Sequence, residues 1–214
     1  MTAPVVGALA QVRLRLGRMR PLAAPVSHRE RLLEAAAAFT AEQGWGALTM
    51  AKLADLVGVS RQTVYNEIGG KPQLAEAMIM RELEMFLGRV EAAFSDNPTD
   101  LVRAIEAAAL NVLELAGTDP LLHMVVRSSQ GAESDLLPLL TTHSEALLEA
   151  AGQVVGEHVR RYDVPLDEDR MAVMIDMVIR LVLSHVMQPR GEPRETAETV
   201  AWIAARVLAS DAHR

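Results

Sequence analysis

From about residue 27 onward, apolar positions recur at steps of three and four along almost the whole chain. That spacing puts them on one face of an α-helix. Leu32, Leu33, Ala36 and Phe39 give the inner face of a first helix. Ser27 and Glu30 stand before it as a Ser-x-x-Glu capping box, and Gly44 ends it after Gln43. Ala51, Leu53, Ala54 and Leu56 supply the apolar face of a short second helix, MAKLADLV, with Thr49 as its N-cap. Gly58 closes it, because glycine adopts a left-handed C-cap without steric cost. Val59 plugs the corner and Ser60 caps a third helix, in which Val64 and Ile68 lie four apart and face inward.

Breaks then set the remaining elements. Pro72 suits the first turn of a helix reaching about Phe94. Asn97-Pro98 and Asp119-Pro120 are helix-start signals that bound segments near 99–116 and 120–129. Gly131 opens a loop before a long segment at about 134–161, with Pro138 in its first turn or at a kink. After Val164-Pro165, Asp167 caps a helix to about Met187, and Pro193 starts a last one to about Ser210. β-branched clusters with turn signals are scarce, and there is no strand-turn-strand pattern. The chain is expected to be all-α, with about nine helices: an arm over 1–26, a three-helix head over 27–71 and a helical body over 72–214.

The polar side of the third helix carries the candidate chemistry. At about 100° per residue, Arg61, Gln62, Thr63, Tyr65 and Asn66 fan across the arc opposite Val64 and Ile68. Two short helices meeting at a Gly-Val-Ser corner make a helix-turn-helix, whose second helix enters a DNA major groove. Arginine pairs in bidentate fashion with guanine, glutamine with adenine, and a threonine methyl meets that of thymine. Tyr65 can offer its hydroxyl to a phosphate and Lys71 a positive charge. The N–H groups at the starts capped by Thr49 and Ser60 are further phosphate sites. Two packed helices with a merely solvated face would show the same bare pattern, so the flanking sequence matters.

That flank, GVSRQTVYNEIGGKPQLAEAM, together with HRERLLEAAAAFTAEQGW upstream, resembles the DNA-binding region of TetR-family regulators over about residues 28–75. Tyr65 and Lys71 match the family pattern. Asn66 stands where a histidine is common, and Ile68 where a phenylalanine is common. The remaining two thirds match only in helical layout. The resemblance implies a homodimer on a palindromic double-stranded operator, a linking helix between head and body, and a body that binds a small ligand. It implies a repressor whose ligand releases it from DNA.

Charge follows the same division. Residues 1–71 hold nine Arg or Lys against five Asp or Glu, a net of +4; residues 72–214 hold twelve against twenty-three, a net of −11. A basic head on an acidic body suits a protein that meets phosphates at one end. The arm interleaves Arg13, Arg15, Arg18 and Arg20 with apolar residues; it reads as a DNA-following arm or as a plain extension. Cysteine is absent, which excludes disulfides and thiolate metal sites and fits a reducing cytoplasm. No apolar run reaches the roughly 18–20 residues of a membrane span, and the apolar N-terminal part precedes its arginines, unlike a signal peptide. A cytoplasmic location is expected.

The last two predicted helices are apolar over wider arcs than one buried face requires. Met171, Ile175, Val178, Val182 and Val186 follow helical steps on one, and Val200, Ile203 and Val207 on the other, with Trp202 beside them. By the resemblance they form a four-helix bundle across a two-fold axis, which suits a palindromic operator; an ordinary monomer core has the same pattern. The resemblance also implies a body cavity, with Met85, Leu110, Leu113, Met124, Leu140, Leu147 and Met174 as lining candidates. Arg127 and His143, with His123 and Arg180, are candidate polar anchors. Methionine is adaptable, so such a cavity suits an apolar or elongated ligand, although methionines also serve simply to fill cores.

Catalytic patterns are missing. No histidine has a glutamate three positions before it, and His-Glu-x-x-His, Gly-x-Ser-x-Gly and phosphate-binding glycine loops do not occur. The sequence calls for no enzyme activity, no metal and no cofactor. A DNA-binding activator or architectural protein without a ligand, or a helical protein-interaction module, remains an alternative.

Overall fold

The computed structural model describes residues 27–123 and 144–211, with side chains over 27–123 and 148–209. Within these residues the chain is helical and contains no strand. The predicted arm at 1–26, the end of the helix predicted at 120–129 and the segment 134–143 lie outside the described residues.

The head is built from α1 (His28–Gln43), a 3-10 turn (Trp45–Ala47), α2 (Met50–Val57) and α3 (Arg61–Glu67). Each start is capped by the hydroxyl the sequence offers. Ser27 accepts from the Glu30 amide at 3.1 Å, Thr49 from Lys52 at 3.2 Å and Ser60 from Thr63 at 3.0 Å. Gly58 takes φ 71° and ψ 39°, and its amide reaches back to the Ala54 and Asp55 carbonyls. Leu32, Leu48, Leu53, Val64 and Leu74 are wholly buried in the head core, which Leu121 joins. One expectation for α2 needs correcting. Its inner face is Met50, Leu53, Ala54 and Val57, and Leu56 is exposed; three-residue steps fit two neighbouring arcs of so short a helix.

Two α1 arginines tie the helix-turn-helix together. Arg31 donates from Nη2 to the Val57 carbonyl at 3.0 Å, and Arg29 from Nη1 to the Glu67 carbonyl at 2.6 Å. Both acceptors are at helix C-termini, where orphan carbonyls and the helix dipole favour a cation.

α4 (Lys71–Asp96) starts one residue before Pro72. The compact unit holding the head takes in α4 as far as Glu84 and residues 119–123. It therefore runs past the division expected at Lys71. Asp119 is buried and caps the helix beginning at 120, accepting from the Leu122 amide at 2.7 Å. Its carboxyl also meets that of Glu82. Burial, the hydrogen bond with Asp119 and that residue's charge push Glu82 up to about 8, against the opposing pull of Arg81.

The second unit begins at Met85 within α4 and continues with α5 (Leu101–Thr118), α6 (Ser144–Val159), α7 (Glu168–Met187) and α8 (Pro193–Asp211). Asp100 and Asp167 cap α5 and α7. α8 runs closely along α5. Both contribute buried alanines, Ala104, Ala108 and Ala109 on α5, and Ala197, Ala201 and Ala204 on α8; small side chains let helix backbones approach. After α6, the Tyr162 hydroxyl lies 2.7 Å from the Asn97 carbonyl and 3.3 Å from that of Phe94. Phe94 stacks on His158 with ring centroids 5.3 Å apart. Burial holds the His158 imidazole below its ordinary pKa and lifts the carboxyl of Glu91, 4.0 Å from it.

Candidate nucleic-acid interface

Val64 and Ile68 anchor α3 in the head core at 0% and 7% exposure. That fixes the helix rotation and leaves Arg61, Gln62, Tyr65 and Asn66 exposed on the other side. Thr63 is half-buried, and its hydroxyl lies 2.9 Å from that of Ser60. The exposed side chains are not independent: Gln62 Nε2 donates to Asn66 Oδ1 at 2.8 Å. Thr49 and Ser60, each exposed, stand at the two helix starts.

Lys71 has partners within the head. It is half-buried, its Nζ donates to the Trp45 carbonyl at 2.9 Å, and it lies 4.9 Å from the centroid of the Trp45 indole. The ammonium is thus held against the head itself and has two donors left. Lys52 is placed similarly, 4.7 Å from the Phe39 ring centroid. Sequence reading missed these ties, and those of Arg29 and Arg31, because they join residues from 13 to 38 positions apart.

In the second unit an open apolar groove of about 400 Å³ lies between α7 and α8. Val173, Met174, Met177 and Val178 line it from α7, and Val200, Ile203, Ala204 and Val207 from α8. The predicted interface set divides here. Trp202, Ile203 and Val207 are exposed and Val178 borders the groove. Ile175, Val182 and Val186 are instead buried within the chain, Val200 is buried although it lines the groove, and Met171 is half-buried. The outward apolar residues on α7 are Val173, Met177, Leu183 and Met187, none of which the sequence reading placed at an interface. α7 is apolar on two arcs, and helical spacing alone does not say which arc the rest of the chain covers.

The cavity candidates scatter. Met174 lies in the α7–α8 groove, beside residues assigned to the interface. Leu113 is buried, Leu110 half-buried and Met85 exposed. Of the polar anchors, His123 is exposed, and Arg180 is exposed and paired with Asp176 at 2.8 Å. Met124, Arg127, Leu140 and His143 lie outside the described residues, as does the side chain of Leu147. Among the described residues no helix is long and apolar enough to cross a membrane.

Comparison with known proteins agrees with both halves of the chain. Residues 32–78 match the family model described as bacterial regulatory proteins, tetR family. Residues 100–206 match that of the bacterial tetracyclin repressor C-terminal domain. The HTH-type transcriptional regulator AlkX of Mycobacterium tuberculosis is 26% identical over 173 residues, 81% of each chain. The crystal structure of the TetR family repressor AlkX from Dietzia sp. superposes with a TM-score of 0.68 at 24% identity, covering 88% of this chain and 98% of that one. NalD, the secondary repressor of the MexAB-OprM efflux pump in Pseudomonas aeruginosa, shares the fold with a TM-score of 0.54 at 19% identity, covering 84% and 96%. With a helix-turn-helix head and a helical body each matched by its own model, this chain belongs to the TetR family of bacterial transcriptional regulators.

Proposed function

We propose that the chain acts in the cytoplasm as a homodimeric repressor, reading a palindromic operator with α3 and leaving it when a small apolar molecule binds the body. The observation that carries the reading is the exposed Arg61, Gln62, Tyr65 and Asn66 row over the buried Val64 and Ile68. In each half-site Arg61 and Gln62 meet base edges, while Thr49, Ser60, Tyr65 and Lys71 address phosphates. Dimerisation through α7 and α8 is supported by the exposed apolar residues bordering their groove. Two heads related by a two-fold axis then meet half-sites at about one helical turn, 10–10.5 base pairs.

The ligand acts by linkage. It binds the DNA-incompetent arrangement more tightly, so DNA weakens ligand binding by the same factor. The Dietzia repressor is described as implicated in the biodegradation of n-alkanes; that supports an apolar, elongated inducer here.

The test is fluorescence anisotropy with duplex DNA from upstream of the chain's own gene, against a scrambled duplex, over a salt series. Selective binding that weakens with salt is the expected result. Equal, weak binding to that duplex, to its scramble and to the best duplex from a randomised pool overturns it.

A further inference from the structure

Asn66 stands one helical turn after Gln62 and takes one of its amide protons, Nε2 to Oδ1 at 2.8 Å. Both residues are exposed on the outer face of α3. A glutamine amide has two N–H donors and one acceptor oxygen. With one N–H directed at Asn66, the other N–H and Oε1 remain. That is the donor–acceptor pair that adenine matches through N7 and its N6 amino group. In this pairing Nε2 rather than Oε1 faces Asn66. Without it, an exposed glutamine samples many rotamers and both amide orientations, and each must be lost again on binding.

We propose that Asn66 is a positioning residue, which holds the Gln62 amide in the orientation that reads adenine in each half-site. The proposal rests on α3 being the major-groove helix. It differs from a phosphate role for Asn66, in which Nδ2 would anchor the backbone and act equally on every sequence. It differs too from simple helix support by an i, i+4 pair, which would change stability and leave base preference alone.

The test uses the full-length chain and a duplex pool with a randomised core, followed by anisotropy on the selected duplex and its single base-pair changes. The variants are Gln62→Ala, Asn66→Ala, Asn66→Asp and the double alanine, with circular dichroism confirming that each folds. Gln62→Ala should erase about tenfold discrimination for adenine at one position of each half-site. Asn66→Ala should reduce the same preference several-fold, leave other positions nearly unchanged, and have no effect on preference when Gln62 is already alanine. Asn66→Asp retains the acceptor, so it should keep the preference while binding every duplex more weakly through phosphate repulsion. Asn66→Ala weakening all duplexes alike, in both backgrounds, overturns the proposal. If the wild type selects no sequence, the reading of α3 falls and takes the proposal with it. If Gln62→Ala changes the adenine preference and Asn66→Ala does not, the proposal alone falls.

Discussion

Lys71 Nζ sits 2.9 Å from the Trp45 carbonyl and 4.9 Å from the centroid of its ring. The first residue of α4 is thereby fastened to the turn between α1 and α2. A charged donor on a carbonyl contributes about 1.5–3 kcal/mol when well aligned, and a cation over an indole adds roughly 0.5–1 kcal/mol near the surface. Lys71→Ala is therefore expected to lower unfolding stability by about 1–3 kcal/mol in urea titrations. Its effect on DNA should be uniform across sequences, with a flatter salt slope. Unchanged stability would mean that the tie to Trp45 contributes nothing, and a loss confined to one sequence would rule out a phosphate role.

The head was readable because its corners use residues with few alternatives. Thr49 and Ser60 cap with their hydroxyls, Gly58 takes the left-handed backbone that the lack of a side chain permits, and Val64 and Ile68 fix the rotation of α3. The arginine ties to Val57 and Glu67 were not readable, since any nearby helix C-terminus would accept them equally well. The outer arc of α7 was not readable for another reason. Val173 and Met177 face outward while Ile175 and Val182 face inward, yet all four are apolar, and only the position of neighbouring helices separates them. The carboxyl pair of Glu82 and Asp119 escaped for want of any sequence pattern at a separation of 37 residues.

That pair makes stability depend on pH. The folded chain holds the Glu82 proton up to about pH 8, whereas the ordinary carboxylate value is 4.5. Below the lower value both states are protonated, and the stabilising effect of the protonated pair is fully present. As pH rises between the two, the unfolded chain has released a proton that the folded chain still binds, so stability falls until it levels above the upper value. Among the described residues the buried Glu82 Oε2 also has no hydrogen-bond partner, which adds to the cost of ionising it. Glu82→Gln removes this titration. Thermal melts from about pH 5 to pH 9 should show the variant gaining on the wild type as pH rises. A constant difference across the range would show that Glu82 titrates normally.

Tyr162 closes the end of α4 by donating to the Asn97 carbonyl at 2.7 Å, with the Phe94 carbonyl 3.3 Å from the same hydroxyl. Its ring also meets Phe94 edge-on, at 6.1 Å between centroids. Tyr162→Phe keeps the ring and removes the donor. The expected loss is about 0.5–1.5 kcal/mol, with faster amide exchange in the last turn of α4. If exchange there is unchanged, the hydroxyl is not what secures that turn.

The α7–α8 face provides the sharpest test of assembly. Val173, Met177 and Trp202 are 60%, 59% and 59% exposed, an apolar display that a lone soluble chain rarely leaves to water. In a two-fold dimer each patch would meet its own copy, so one changed residue acts twice. Met177→Arg sets two guanidinium groups against each other at such an interface, but leaves the protomer core intact because Met177 faces outward. Light scattering should show the wild type at twice the chain mass and the variant at the mass of one chain, with unchanged helical circular dichroism. DNA affinity should fall by orders of magnitude, since each head then binds its half-site without its partner. A variant that remains dimeric would move the interface off this face. A wild type that is monomeric at micromolar concentration would remove the two-fold reading of the operator altogether.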